Sequence, residues 1–127
     1  MAVELNHTII HASDRKRSAE FLADILGLQV QPEFGPFLPV ETANGVTLDF
    51  AQDDGKITPQ HYAFLVGEED FDHGFKRIQE KGLTYWADPH RTRPGEINTN
   101  DGGRGVYFAD PDGHYMELIT RPYGSGS

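Results

Sequence analysis

One order of elements occurs twice along these 127 residues: a strand, a helix, then three extended pieces. A repeat of this kind narrows the fold more than any composition figure, because each copy must bury one face of the same small sheet. In the first copy, residues 4–12 read as a short strand. Ser13 and Asp14 then bring N-cap oxygens to an amphipathic helix over 15–26. Phe21, Leu22, Ile25 and Leu26 fall on one face of that helix, and Gly27 suits its C-cap. Extended pieces are expected near 28–34, 37–43 and 45–51, broken by Gly35-Pro36 and by Asn44-Gly45, a strong hairpin signal. In the second copy, 60–66 form a strand and 69–81 a helix with Phe71, Phe75 and Ile78 inward, capped by Gly82. Extended pieces follow at 83–87, 104–109 and 114–120. The last two are joined by Asp110-Pro111-Asp112-Gly113, whose residues suit a tight turn. The copies share an order of elements and almost no sequence identity.

Strand alternation decides which side chains face the same way. His7, Ile9 and His11 share one face of the first strand, and His61, Ala63 and Leu65 share one face of its counterpart. Thr47 and Asp49 oppose Leu48 and Phe50, while Tyr115, Glu117 and Ile119 oppose Met116 and Leu118. The apolar faces pack under the helices, so His7, Asp49, His61 and Glu117 are all expected on the cleft side. An axis relating the two halves would bring these equivalent positions together. Imidazoles and carboxylates on an inner face are costly unless paired or metal-bound. The chain has no Cys, which excludes thiolate sites and leaves His and carboxylates as the strong ligands. Two His with one carboxylate suit Fe(II), Mn(II) or a related divalent ion.

Other classes are disfavoured. A net charge of −9 argues against nucleic acid, whose phosphates demand a basic face. The apolar runs fall short of the roughly 20 residues a membrane span needs. No signal peptide or lipidation motif opens the chain, so a cytoplasmic protein without membrane partners is expected.

Three segments carry a family resemblance. They are Asn6-His7-Thr8, Gln60-His61-Tyr62-Ala63-Phe64, and the run from Tyr107 through Asp110-Pro111-Asp112-Gly113-His114 to Glu117-Leu118. Together they resemble the vicinal oxygen chelate superfamily, which includes glyoxalase I, extradiol dioxygenases, fosfomycin-resistance transferases and bleomycin-binding proteins. The resemblance spans nearly the whole chain. It implies a single α+β domain over 1–127, with two βαβββ modules (about 4–52 and 59–121) forming a curved mixed sheet around a metal cleft and helices on the outer face. It also implies His7, His61 and Glu117 as metal ligands, and Asp49 at the position of a fourth, carboxylate ligand. Asp is one methylene shorter than the Glu of glyoxalase-like members. One divalent metal per site is implied, Fe(II) or Mn(II) ahead of Zn or Ni.

Beyond the ligands, Tyr107 lies across the turn from Glu117 in the neighbouring strand, where its hydroxyl could donate a hydrogen bond or relay a proton. His11, roughly 13 Å along the strand from His7, falls at the cleft rim. The long connection 88–105 holds Arg91, Arg93 and Arg104, candidates to pair with an anionic group of a small-molecule substrate. Two His and one Glu match dioxygenase-like and fosfomycin-transferase-like members, whereas a fourth carboxylate favours glyoxalase-like ones. The stretch Arg91-Thr92-Arg93-Pro94-Gly95-Glu96 stands where the fosfomycin branch carries a Lys- and Ser-rich loop, which ranks that branch low. The expectation is therefore an extradiol, catechol-cleaving dioxygenase-like enzyme. The alternatives are a glyoxalase I-like lyase acting on a thiol adduct and a non-catalytic drug- or metabolite-binding protein. A homodimer is expected, with or without exchange of modules between chains.

Overall fold

The computed structural model describes residues 2–126. The chain divides into two compact units, Met1–Ile57 and Thr58–Ser127. Each is a βαβββ-type module with a small mixed sheet of its own.

The first unit runs β1 (His7–Ala12), α1 (Arg15–Leu26), β2 (Phe37–Glu41) and β3 (Thr47–Gln52). Strand β3 is central, parallel to β1 and antiparallel to β2. Helix α1 starts where the Asp14 carboxylate accepts the Arg17 N–H at 3.1 Å, a cap worth about 1 kcal/mol. It stops at Gly27, whose φ of 68° lies in the left-handed region. Its buried stripe is Ser18, Ala19, Leu22, Ala23 and Ile25; Phe21 and Leu26 stay half-buried at the margin. The small residues let the helix lie close to the sheet, over the fully buried Ile10, Ala12 and Phe50.

The extended piece expected at 28–34 is not a strand. Its links to β2 are the isolated bridges Val30–Val40 and Phe34–Phe37. Pro32 brings no N–H to a ladder and Gly35 turns the chain at a φ of 57°, so pairing there cannot propagate.

The second unit runs β4 (His61–Leu65), α2 (Glu68–Glu80), β5 (Tyr85–Trp86), β6 (Gly105–Ala109) and β7 (Tyr115–Ile119), with sheet order β4-β7-β6-β5. Strand β7 is parallel to β4 and antiparallel to β6. Glu68, Glu69 and Asp70 place negative charge at the positive end of α2. Phe71 and Ile78 are buried, and Phe75 meets Tyr85 edge-on at 5.0 Å. The strand expected at 83–87 shrinks to two residues. Beyond Trp86 the chain folds back on itself, with the Ala87 N–H donating to the Arg93 carbonyl at 3.1 Å. Among the described residues no helix is long and apolar enough to cross a membrane.

Candidate active site

Register builds the second unit's site. Glu117 of β7 stands opposite Tyr107 of β6 and opposite Ala63 of β4, two residues beyond His61. Glu117 is 1% exposed. Its Oε1 lies 3.0 Å from His61 Nε2, and its Oε2 accepts a hydrogen bond from the Tyr123 hydroxyl. The Tyr107 hydroxyl is 2.8 Å from that of Tyr123. His61 Nδ1 donates to the Tyr115 carbonyl at 3.1 Å, which turns Nε2 towards the carboxylate. Behind it, the buried His114 accepts the Gln60 N–H on Nδ1 at 2.9 Å, which ties the start of β4 to the start of β7.

The buried Glu117 carboxylate thus meets the half-exposed His61 ring across 3.0 Å. A buried carboxylate demands a compensating positive charge, and its partners here are an imidazole and a phenol. A divalent ion meets that demand. Neighbouring ligands about 2.1 Å from an octahedral ion stand about 3 Å apart, the separation observed. His61 and Glu117 would contribute two ligands to such an ion.

Tyr107 is held protonated. Burial raises its pKa most, followed by the hydrogen bond and charge of Glu117 and the charge of Asp88. Its ring stacks on that of His61 at 6.2 Å.

A cavity of about 370 Å³ opens on this pair, walled by Trp86, Tyr107, Phe108, Tyr115 and Tyr123. Arg91 lines it too. Its guanidinium carbon sits 4.9 Å from the Trp86 ring centre and 4.4 Å from that of Tyr115. The backbone of Arg91 has a φ of 59°, uncommon for a side-chain-bearing residue. The loop is fastened by Asp88, which accepts from the Thr92 N–H, the Thr92 hydroxyl and the Arg93 N–H. These bonds hold the Asp88 carboxyl below its ordinary pKa, the Thr92 hydroxyl contributing most.

The first unit repeats the relation. Asp49 pairs with Ile9, two residues beyond His7, as Glu117 pairs with Ala63, two residues beyond His61. His7, Asn6, Phe34, Phe37, Thr47 and the 9%-exposed Asp49 line a cavity of about 490 Å³. His7 Nδ1 is bonded to Asn6 Oδ1 at 2.9 Å. Among the described residues no group of three or more His, Asp or Glu could hold a metal ion; each unit presents one His and one carboxylate.

The remaining candidates lie elsewhere. His11 pairs with Asp53 at 3.4 Å and Arg93 with Glu96 at 3.0 Å. Arg104 is committed to helix α2 through Glu68 at 2.9 Å and Asp72 at 2.8 Å. Of the three loop arginines, Arg91 is the one that lines the cavity. Tyr123, Trp86 and Tyr115 had no place in the sequence reading of the site. Tyr123 was signalled only by being an aromatic residue in a Pro- and Gly-rich tail.

Residues 4–118 match the family model described as Glyoxalase/Bleomycin resistance protein/Dioxygenase superfamily. Among curated proteins, the glutathione transferase FosA of Serratia marcescens is 32% identical over 93% of this chain and 81% of its own length. The metallothiol transferase FosB of Lysinibacillus sphaericus is 28% identical over 91% and 81%. The branch that the loop composition ranked low thus supplies curated relatives. Among solved structures, oxidase ChaP-H2 superposes with a TM-score of 0.98 at 68% identity, covering 100% of both chains. Oxidase ChaP-H1 superposes at 0.94 with 65% identity over 97% and 99%.

Proposed function

Because the chain belongs to the glyoxalase/bleomycin resistance protein/dioxygenase superfamily, we propose that it is a divalent-metal-dependent enzyme that oxidises a flat aromatic substrate bearing adjacent oxygens, with O₂ as oxidant. The observation that carries this reading is the aromatic-walled cavity opening on the Glu117–His61 pair, with Arg91 on its wall. Its likeness to two proteins named oxidases, across essentially their whole length, supports the same direction. Extradiol ring cleavage is the form of this chemistry that the ligand types favour.

His61 and Glu117 would hold the metal, and His7 is the third ligand that the family resemblance implies, from the same chain or from a second copy in a homodimer that exchanges units. Asp49 is the position from which a fourth ligand would come. The ion is Fe(II) or Mn(II). When bound, it supplies a Lewis acid that lowers the energy of negative charge on chelated substrate oxygens. The protein does the rest. Trp86, Tyr107 and Tyr115 present ring faces and edges that select a planar ligand and exclude water. Arg91, already stacked between two rings, offers its N–H groups to an anionic oxygen on the substrate rim. The Tyr107 hydroxyl stays protonated and holds its proton beside the site.

Thiol transfer is the second reading, favoured by likeness to the two transferases. The test is anaerobic reconstitution with Fe(II) or Mn(II), followed by parallel assays with planar 1,2-dihydroxyaromatics, a methylglyoxal–thiol adduct, and fosfomycin with a thiol. O₂ uptake matched to loss of the aromatic is expected. Turnover confined to a thiol assay would overturn the reading, and tight binding of aromatics without turnover would favour a binding protein.

A further inference from the structure

We propose that Tyr123, delivered by the C-terminal segment, is a positioning residue that makes Glu117 a one-oxygen ligand. The inference rests on the reading of His61 and Glu117 as metal ligands and goes beyond it.

Proton counting gives the hydrogen bonds a direction. An ionised carboxylate only accepts, so the Tyr123 hydroxyl donates its one proton to Glu117 Oε2. The Tyr107 hydroxyl stands 2.8 Å from the Tyr123 hydroxyl and, through its own hydrogen bond, beside the same carboxylate. Oε2 is thereby engaged, and Oε1 is the oxygen left facing His61 Nε2 at 3.0 Å. A carboxylate used through one oxygen takes up a single coordination position and leaves more of them open for a substrate that binds through two oxygens.

The tail that carries Tyr123 is a built element. The Ser125 N–H donates to the Pro122 carbonyl at 3.1 Å, closing a turn around Tyr123. The Gly126 N–H reaches Asp101 Oδ1 at 3.2 Å, and Arg121 Nη2 donates to the Ser125 carbonyl at 3.3 Å. A Cβ on Gly126 would stand 2.0 Å from the Asp101 carbonyl oxygen, so this seat accepts only glycine. Tyr123 itself is 56% exposed, so its ring adds little to the core. Its hydroxyl is where its contribution lies.

The experiment measures Mn(II) affinity by competition with a chelating dye, and the visible absorption of the Co(II)-loaded protein. It uses wild type, Tyr123→Phe, a chain ending at Arg121, Tyr107→Phe and Glu117→Gln. Removing a group that orients a ligand typically weakens metal binding about 10- to 100-fold. Tyr123→Phe and the shortened chain should both lose affinity in that range. Their Co(II) absorption should weaken as the freed Oε2 joins the metal. The apo proteins should stay folded and melt several degrees below wild type, since buried Glu117 Oε2 loses its donor. Tyr107→Phe should lose less, because Tyr123 still donates. A folded Tyr123→Phe or shortened chain with wild-type affinity and an unchanged Co(II) spectrum would overturn the proposal alone. Glu117→Gln with wild-type affinity would overturn the metal reading, and this proposal with it.

Discussion

Glu117 and Asp110 are seven residues apart on one hairpin, both buried carboxylates, and they are satisfied differently. Glu117 has His61 and Tyr123. Asp110 spends Oδ1 on the N–H groups of Asp112 and His114, shaping the turn, while its Oδ2 is buried without a hydrogen-bond partner. Burial raises the Asp110 pKa and outweighs the two N–H donors that lower it. At pH below the ordinary carboxylate value near 4, the group is neutral both folded and unfolded, and no ionisation penalty arises. As the pH climbs towards the raised folded value, the unfolded chain ionises more readily and the wild type loses stability. Asparagine keeps an Oδ1 acceptor and never ionises. Urea denaturation should therefore show Asp110→Asn gaining on wild type from pH 4 to 7, and a constant difference would contradict this account. Single residues were legible where period-two alternation fixed a side: His61 and Glu117 line one cavity, and His7 and Asp49 line another. Tyr123 was not legible, because a tail has no periodicity to say where a side chain lands.

Elements came through unevenly. The helices and the strands β3, β4, β6 and β7 lie within a residue or two of their sequence limits, because caps, alternation and turn residues agree there, whereas β1 starts at His7, three residues late. The pieces at 28–34 and 83–87 failed as full strands for different reasons. Pro32 brings no N–H to a ladder and Gly35 turns the chain in the first, while the Asp88 loop takes up backbone groups just after the second. The partners of Arg104 were equally hidden, since ion pairing with Glu68 and Asp72 more than thirty residues away leaves no local pattern. The Asp88 loop matters to function because it sets the backbone of Arg91. Asp88→Ala removes the acceptor of three hydrogen bonds without touching the cavity wall. It should raise KM roughly tenfold with kcat little changed, and Arg91→Gln should do the same. Arg104→Gln should leave KM as it was. Unchanged kinetics in Asp88→Ala and Arg91→Gln would remove Arg91 from substrate binding.

At the scale of the whole chain, the repeat was the most informative feature, and the structure sharpens it to residue register. Each unit sets a His two places before the residue that pairs with a carboxylate on a parallel strand. One copy ends in Glu, with its second oxygen engaged by Tyr123; the other ends in Asp beside a larger cavity. The two units keep one register with different carboxylates, and the proposed metal ligands are His61, Glu117 and His7. The most direct measurement of that claim is metal content. Protein purified without chelator and supplied with Fe(II) or Mn(II) is analysed for metal per chain, alongside His7→Ala, His61→Ala and Glu117→Gln. Wild type should hold close to one ion per chain and each variant should lose most of it. Less than about a tenth of an equivalent in wild type, or full occupancy in the variants, would contradict the account.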